Sequence, residues 1–412
     1  MPRLPRFVRR FVALVRADPT GVRDGFVAHL LATATGLIAG LVLGAITGTL
    51  EVLPGLLVLV PAAVGLRGNV FGALGSRLGT LVATGDFEVS RRRTSPVGQN
   101  LEAAVALSVG TSLLLAVVAK LVAEAFGVRN AISITDFVVI AVVGALIPTL
   151  VVLGITLGVA ALGVRREWDV DNVSVPVVTA AGDVVTLPSL VLATLLVTDV
   201  PAGVTGAVAA VVAVGSLVLL VAGFRSGRTV TRRIVRESLP FLLLAGLIST
   251  LAGITIQGRL GALAAEPALL VVIPPLLSLS GSLAGILSAR VATKLHLGLV
   301  DPTRLAVGPI APDLTLVFLV ALPIYLVLGG LADGLAALIG LASPGVIALL
   351  AVVVIAGVLA TAVTSVVAYA AALVTYRLGW DPDNNGVPLV SSSSDFLGAV
   401  AFMVTLVILG IS

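Results

Sequence analysis

No cysteine occurs in this sequence, which excludes disulfides and cysteine-ligated metal centres. His29 and His296 are its only histidines, too few for a histidine-rich metal site. Charge is scarce as well: charged residues make up 11% of the chain and hydrophobic ones 58%, whereas a soluble domain carries about 25% charged residues. So few charges cannot coat 412 residues against water. Period-two alternation is missing, and the apolar runs far exceed the roughly 9–11 residues of a barrel strand, so a transmembrane β-barrel is excluded. The predicted class is an all-α polytopic membrane protein. No nucleophile–base pair or catalytic metal cluster is legible, so an enzyme is not expected. The net charge of +4 does not point to nucleic acid either, because the arginines lie between apolar segments without aromatic interleaving.

Eleven apolar segments are present, at 26–50, 55–84, 101–126, 135–164, 174–198, 202–224, 239–257, 267–293, 314–332, 345–376 and 386–410. Ahead of them RFVRRFVALVR (Arg6–Arg16) has apolar residues at helical spacing and interleaved arginines, the pattern of a basic amphipathic helix on an anionic leaflet. No small-residue cleavage site follows a short apolar core, so a cleavable signal peptide is not expected. With the N-terminus in the cytoplasm, 19 of the 25 Lys and Arg residues fall in cytoplasmic segments and only Lys120, Arg129 and Arg259 on the outer side. The bias of basic loops toward the cytoplasm therefore predicts a multi-pass protein of the cell membrane with its C-terminus outside.

The chain is written twice. A shift of 213 residues lays PAAVGLRGNVFGALGSRLGT (Pro61–Thr80) on PPLLSLSGSLAGILSARVAT (Pro274–Thr293), matching Gly68 with Gly281, Gly72 with Gly285 and Arg77 with Arg290. A shift of 212 lays WDVDNVSVPVVTAAGD (Trp168–Asp183) on WDPDNNGVPLVSSSSD (Trp380–Asp395). Two blocks at nearly one offset predict two five-helix repeats with the segment at 202–224 between them. Five spans alone would invert the second copy; the sixth restores its direction. The repeats are therefore expected to be parallel and related by a pseudo-two-fold axis along the membrane normal. This divides the chain into a basic segment (1–21), repeat 1 (22–199), a linking helix with a basic loop (200–235) and repeat 2 (236–412), a dimer fused in one chain and expected to function as a monomer.

Each repeat carries one carboxylate deep in an apolar run. Asp171 is expected at the cytoplasmic interface, and twelve helical residues at about 1.5 Å each take Asp183 about 18 Å deeper, to the middle of a hydrocarbon core about 30 Å thick. Asp395 reaches the same depth. Pro176, Thr179 and Asp183 form one polar stripe at helical spacing; Pro388, Ser391 and Asp395 form its copy. Intramembrane carboxylates face a cavity or a partner rather than lipid. Arg67 lies within a span and is the candidate partner for Asp183, although it aligns with Ser280 and has no equivalent in the second copy. Two carboxylates with hydroxyl and amide oxygens make a hard-oxygen site suited to magnesium, calcium or manganese. Two facing aspartates would offset the charge of one divalent ion.

The Gly-Asn block Pro61–Thr80 and the DN…P…D strings resemble the signature blocks of the MgtE and solute-carrier 41 divalent cation transporters. The resemblance runs from about Val22 onward through both copies. It implies magnesium as the transported ion, with the fifth-span aspartate at the pore centre, which maps onto Asp183 and Asp395. The fused layout is similar to solute-carrier 41 rather than to MgtE, whose five-span subunits dimerise. Regulatory cytoplasmic domains of the MgtE kind are not expected, so gating by them is not carried over. Ser282 stands in copy two where copy one has Asn69, which would make any role of that amide one-sided.

The expected metal-binding set is Asp183, Asp395, Thr179, Ser391, Asp171, Asn172, Asp383, Asn384 and Asn69, with no resident cofactor. Asp171, Asn172, Asp383 and Asn384 are equally suited to capping helices 5 and 11. Arg77 and Arg290 are expected to snorkel, Glu102 and Asp313 to charge a vestibule or complement helix dipoles, and Pro54 and Pro267 to mark helix starts. Two alternatives stay open: a secondary transporter in which the aspartates carry protons or sodium while another solute moves, and a scaffold whose polar residues only lock helices together.

Overall fold

The computed structural model describes residues 19–88, 92, 94–166, 170–303, 308–379 and 386–411, with the backbone alone at 19–25, 27–28, 166, 170–176 and 387. The segment Arg6–Arg16, Trp168, Asp169, Arg304 and the string Trp380–Asn385 lie outside the described residues.

Eleven long helices are described: α1 (Pro19–Ala45), α2 (Leu56–Thr84), α3 (Pro96–Ala125), α4 (Ile134–Arg166), α5 (Val170–Thr198), α6 (Ala202–Phe224), α7 (Thr229–Gln257), α8 (Ala268–His296), α9 (Ala311–Leu338), α10 (Val346–Leu378) and α11 (Val387–Ile408). No strand occurs among the described residues. Ten of the helices are long and apolar enough to cross a membrane, and α1 adds the apolar stretch His29–Ala45. The chain is a multi-pass membrane protein, and the predicted spans coincide with these helices to within a few residues at most ends.

Two ends differ. α1 stops at Ala45, and a separate short helix, Thr47–Val52, follows it. α7 begins at Thr229, so the basic segment ahead of residue 239 is helix rather than loop. Charge supports that extension: Arg233 Nε lies 2.9 Å from Glu237 Oε1 across one helical turn, and the Arg236 guanidinium sits 4.9 Å from the Phe224 ring centroid. At the start of α3 the Ser95 Oγ accepts from Gly98 N at 3.0 Å with Pro96 behind it, a side-chain cap followed by the residue that needs no amide donor.

Helix ends recur at the offset already seen in the side chains. Gly85 and Gly298, just past α2 and α8, have φ of 78° and 70°; Gly127 and Gly340, just past α3 and α9, have 70° and 73°. Only glycine enters this left-handed region without strain, so both pairs mark obligatory stops 213 residues apart.

The halves are interlocked by exchange. α1 packs on α8, and α7 packs on α2; α1 also touches α9, and α7 touches α3. The first helix of each half thus completes the other half. The crossings are close. A Cβ placed on Gly40 would lie 1.9 Å from the Val271 carbonyl oxygen, and one on Gly253 would lie 2.5 Å from that of Val58. Gly40 with Gly253, and Val58 with Val271, are each 213 apart. Small residues at a crossing let helix backbones approach in lipid, where van der Waals packing replaces the hydrophobic drive. α6 packs on α3 and α4, with Gly110 against Leu220, and leaves Val211, Val214 and Val218 exposed.

Candidate functional site

Asp183 projects from α5, which packs on α1, α2 and α4; Asp395 projects from α11, which packs on α7, α8 and α10. Asp183 is 6% exposed, and Asp395 is half-buried. Each carboxylate finds a hydroxyl on a second-half helix. Ser278 Oγ of α8 donates to Asp183 Oδ2 at 3.4 Å, and Ser249 Oγ of α7 donates to Asp395 Oδ2 at 2.9 Å. Opposite Asp395, on α2, stands Gly65, whose Cβ would lie 3.2 Å from Oδ2. Gly65 and Ser278 are equivalent under the 213-residue shift. So each aspartate is faced by the same position on the second helix of the opposite half.

The polar stripes continue beside them. Gly68 leaves room against Thr179, with 3.9 Å to its methyl, and Gly281 leaves room against Ser391, with 3.9 Å to its Oγ. Thr179 and Ser391 are half-buried. Asn69 is placed differently, in a cleft it shares with Arg77, Ser238, Leu242 and Pro388 between α2, α3, α7 and α11. α5 starts at Val170, which puts Asp171 and Asn172 in its first turn instead of at an N-cap; their side chains are outside the described set. Asp383 and Asn384 lie outside the described residues altogether.

Arg67 is not the partner of Asp183. Its Nη2 donates to Ser112 Oγ at 2.9 Å and its Nη1 to the Ala63 carbonyl at 3.3 Å. Ser112 Oγ passes the chain to the Ser108 carbonyl at 2.7 Å, and Ser108 Oγ pairs with Thr149 Oγ1 at 2.8 Å, tying α2 to α3 and α4. Arg77 and Arg290 do not snorkel freely. Arg77 Nε donates to Asn100 Oδ1 at 3.0 Å, and Arg290 Nη1 to Asp313 Oδ1 at 3.5 Å, with Lys294 on the other carboxylate oxygen. Glu102 is held by Arg228 and Thr231. Both acidic residues expected to charge a vestibule are thus matched by cations. Pro267 is the residue before α8, as expected, while Gly55 separates Pro54 from α2.

Ser249, Ser278 and Gly65 are the site residues that sequence reasoning missed. Ser278 stands inside the repeated block of the second copy, where a hydroxyl replaces glycine. That substitution was the available signal. The site is oxygen-only: two carboxylates and neutral hydroxyls, with no group of three or more His, Cys, Asp or Glu among the described residues. Such a set attracts a hard cation but cannot enclose a stripped one, since magnesium demands six oxygens at about 2.1 Å.

Comparison with known proteins gives the same reading of the repeats. Residues 60–193 and again 273–405 match the family described as MgtE, divalent cation transporter. The chain is also 34% identical over 143 residues to solute carrier family 41 member 3 of Rattus norvegicus and of Mus musculus. That match covers 33% of this chain and 30% of the rat or 28% of the mouse protein. No solved structure matches. Two matched segments, each ending just beyond its intramembrane aspartate and together spanning more than half of the sequence, place the chain in the MgtE family of divalent cation transporters.

Proposed function

We propose that this protein is a transporter, not an enzyme, that moves divalent cations, magnesium foremost, across the cell membrane along a path lined by Asp183 and Asp395. The carrying observation is that each intramembrane carboxylate is faced by the same position on the second helix of the opposite half, Asp183 by Ser278 and Asp395 by Gly65. Thr179 and Ser391 continue that path, and Asp171, Asn172, Asp383 and Asn384 recruit ions at its cytoplasmic end. The protein works as a single chain, because the partner subunit is supplied by the second repeat.

Two carboxylates and a few hydroxyls leave most of the magnesium coordination sphere to water. The ion therefore keeps several waters and meets the aspartates through them. Cobalt hexammine has the shape of hydrated magnesium but does not exchange its ligands, so it blocks magnesium uptake into proteoliposomes while sodium and potassium compete weakly. Indifference to cobalt hexammine, with tight inhibition by calcium, would show instead a wider site that binds its ion directly. Absence of any divalent uptake would sink the proposal.

The orientation has its own test. Six long helices precede the second repeat, so equivalent points of the two repeats face the same side. Arg92→Cys and Arg304→Cys are expected to label from the cytoplasm and Asp333→Cys from outside, against a background free of cysteine. Labelling of positions 92 and 304 from opposite sides would mean inverted repeats.

A further inference from the structure

We propose that the corner where α6 meets α7 binds an anionic phospholipid, its phosphate held by Arg225 and Arg236 and an acyl chain laid along α6. The inference is independent of the cation path. Of the ten helices long and apolar enough to span a membrane, α6 is the least buried. It turns Ser216, Leu220 and Gly223 inward. Val211, Val214, Val218 and Val221 stay exposed at steps of three and four residues, the spacing of one helix face. The next step of that stripe is Arg225. Its amide still donates to the Val221 carbonyl at 2.9 Å, so the helical register carries through to it. An apolar stripe about 21 Å long, at about 1.5 Å per residue, therefore ends on an exposed arginine.

The basic residues of this corner are sorted by direction. Arg228 turns to Glu102 of α3, and Arg233 to Glu237, the sole acidic residue between positions 225 and 238. Arg225, Arg232 and Arg236 form no ion pair among the described residues. Arg236 is nonetheless fixed in place. Its Nε donates at 3.2 Å to the Phe224 carbonyl, the peptide group that leads into Arg225, and its guanidinium lies against the Phe224 ring. That leaves its two Nη groups for a ligand, and a guanidinium fork matches phosphate oxygens with parallel hydrogen bonds. Arg232 stands one turn before Arg236 on the same face of α7. Unpaired cations at the end of an exposed apolar stripe complement a lipid with a negative head and an aliphatic tail. A second copy of the chain suits the stripe less well. A two-fold contact through α6 about the membrane normal brings the two Arg225 ends together, and like charges repel across it.

The test follows thermal unfolding of the purified protein in detergent as phosphatidylglycerol is added, with phosphatidylcholine and inorganic phosphate as separate arms. Phosphatidylglycerol is expected to stabilise at lower concentration than phosphatidylcholine, and inorganic phosphate to leave the melting temperature unchanged. Arg225→Gln and Arg236→Gln each raise the half-saturating phosphatidylglycerol concentration about fivefold, the scale of one basic residue at an anionic surface. Arg233→Gln, whose charge Glu237 already answers, leaves it within about twofold. Equal shifts in all three variants would reduce the effect to diffuse charge and overturn the site. Equal stabilisation by the two lipids, or by inorganic phosphate, overturns it as well. If Arg236→Gln does not fold, Arg225→Gln decides alone, because Arg225 is exposed at the helix end. Val214→Cys probes the stripe in a chain without other cysteines. It is expected to stay monomeric in mixed detergent–phosphatidylglycerol micelles, and a disulfide-linked dimer there would put a second copy in place of the lipid.

Discussion

Asn at position 183 or at 395 lowers divalent uptake at least about tenfold, and Asn at both lowers it little further. The amide keeps the shape of the carboxylate and still accepts the hydroxyl bonds that Ser278 and Ser249 supply, so the fold is spared and the charge alone is lost. A unit charge facing a divalent ion at about 5 Å through an effective dielectric constant near 20 is worth several kcal/mol before desolvation offsets it. A surviving difference of about 1.4 kcal/mol is enough for a tenfold effect. Because both carboxylates address one ion, the first substitution already forfeits the shared occupancy, and the second has little left to remove. Magnesium uptake by proteoliposomes carrying each single variant and the double variant measures this directly. Strictly multiplicative losses would mean two independent ions, and wild-type uptake in the double variant would mean the aspartates lie off the path.

Valine at Gly40 or at Gly253 abolishes the compact folded state. The carbonyl oxygens of Val271 and Val58 stand where the new Cβ atoms would go, at 1.9 and 2.5 Å. Backbone cannot rotate out of the way as a side chain can, so α1 must leave α8, or α7 must leave α2. Overpacking in a tight core costs about 1–3 kcal/mol, and here it falls on a helix crossing instead of on one rotamer. Gly154→Ala in α4 is the control, because nothing lies within 4 Å of its would-be Cβ. Thermal melting and size-exclusion profiles in detergent are expected to show loss of the monodisperse peak for both valine variants and an unchanged one for the control. Valine variants that melt with wild type would show that the helices do not cross so closely.

The spans were legible because hydrocarbon demands long apolar runs, and those runs fix the existence of each helix more closely than its ends. The aspartates were legible because an uncompensated charge in such a run needs a reason. Partners were not. Gly40 and Gly253 are spaced by the repeat, but nothing along the chain says that their faces are exchanged between halves. Arg67 looked like a partner for Asp183 since both are charged and buried. Its true partner is Ser112, a hydroxyl among many, and which one a guanidinium reaches depends on the crossing of α2 with α3. Ser249 escaped for the same reason, because a serine in a small-residue helix reads as packing until the neighbouring helix brings a carboxylate to it. α7 runs ten residues past its apolar stretch, because the arginines that mark the membrane edge are also good helix formers.

The exchange of first helices also sets an order of synthesis. α2 is complete at Thr84, yet α7, which covers one of its faces, begins only at Thr229. At about 5–20 residues per second the nascent chain waits roughly 7–30 s between the two. In that interval α3 can already cover Arg67 through Ser112, but the side of α2 that carries Leu57 and Val58 has no resident partner. α1 waits longer still for α8. The first half can therefore pack α5 on α1 and α2 while it is made, but the faces of α1 and α2 that meet α8 and α7 stay uncovered until those helices arrive.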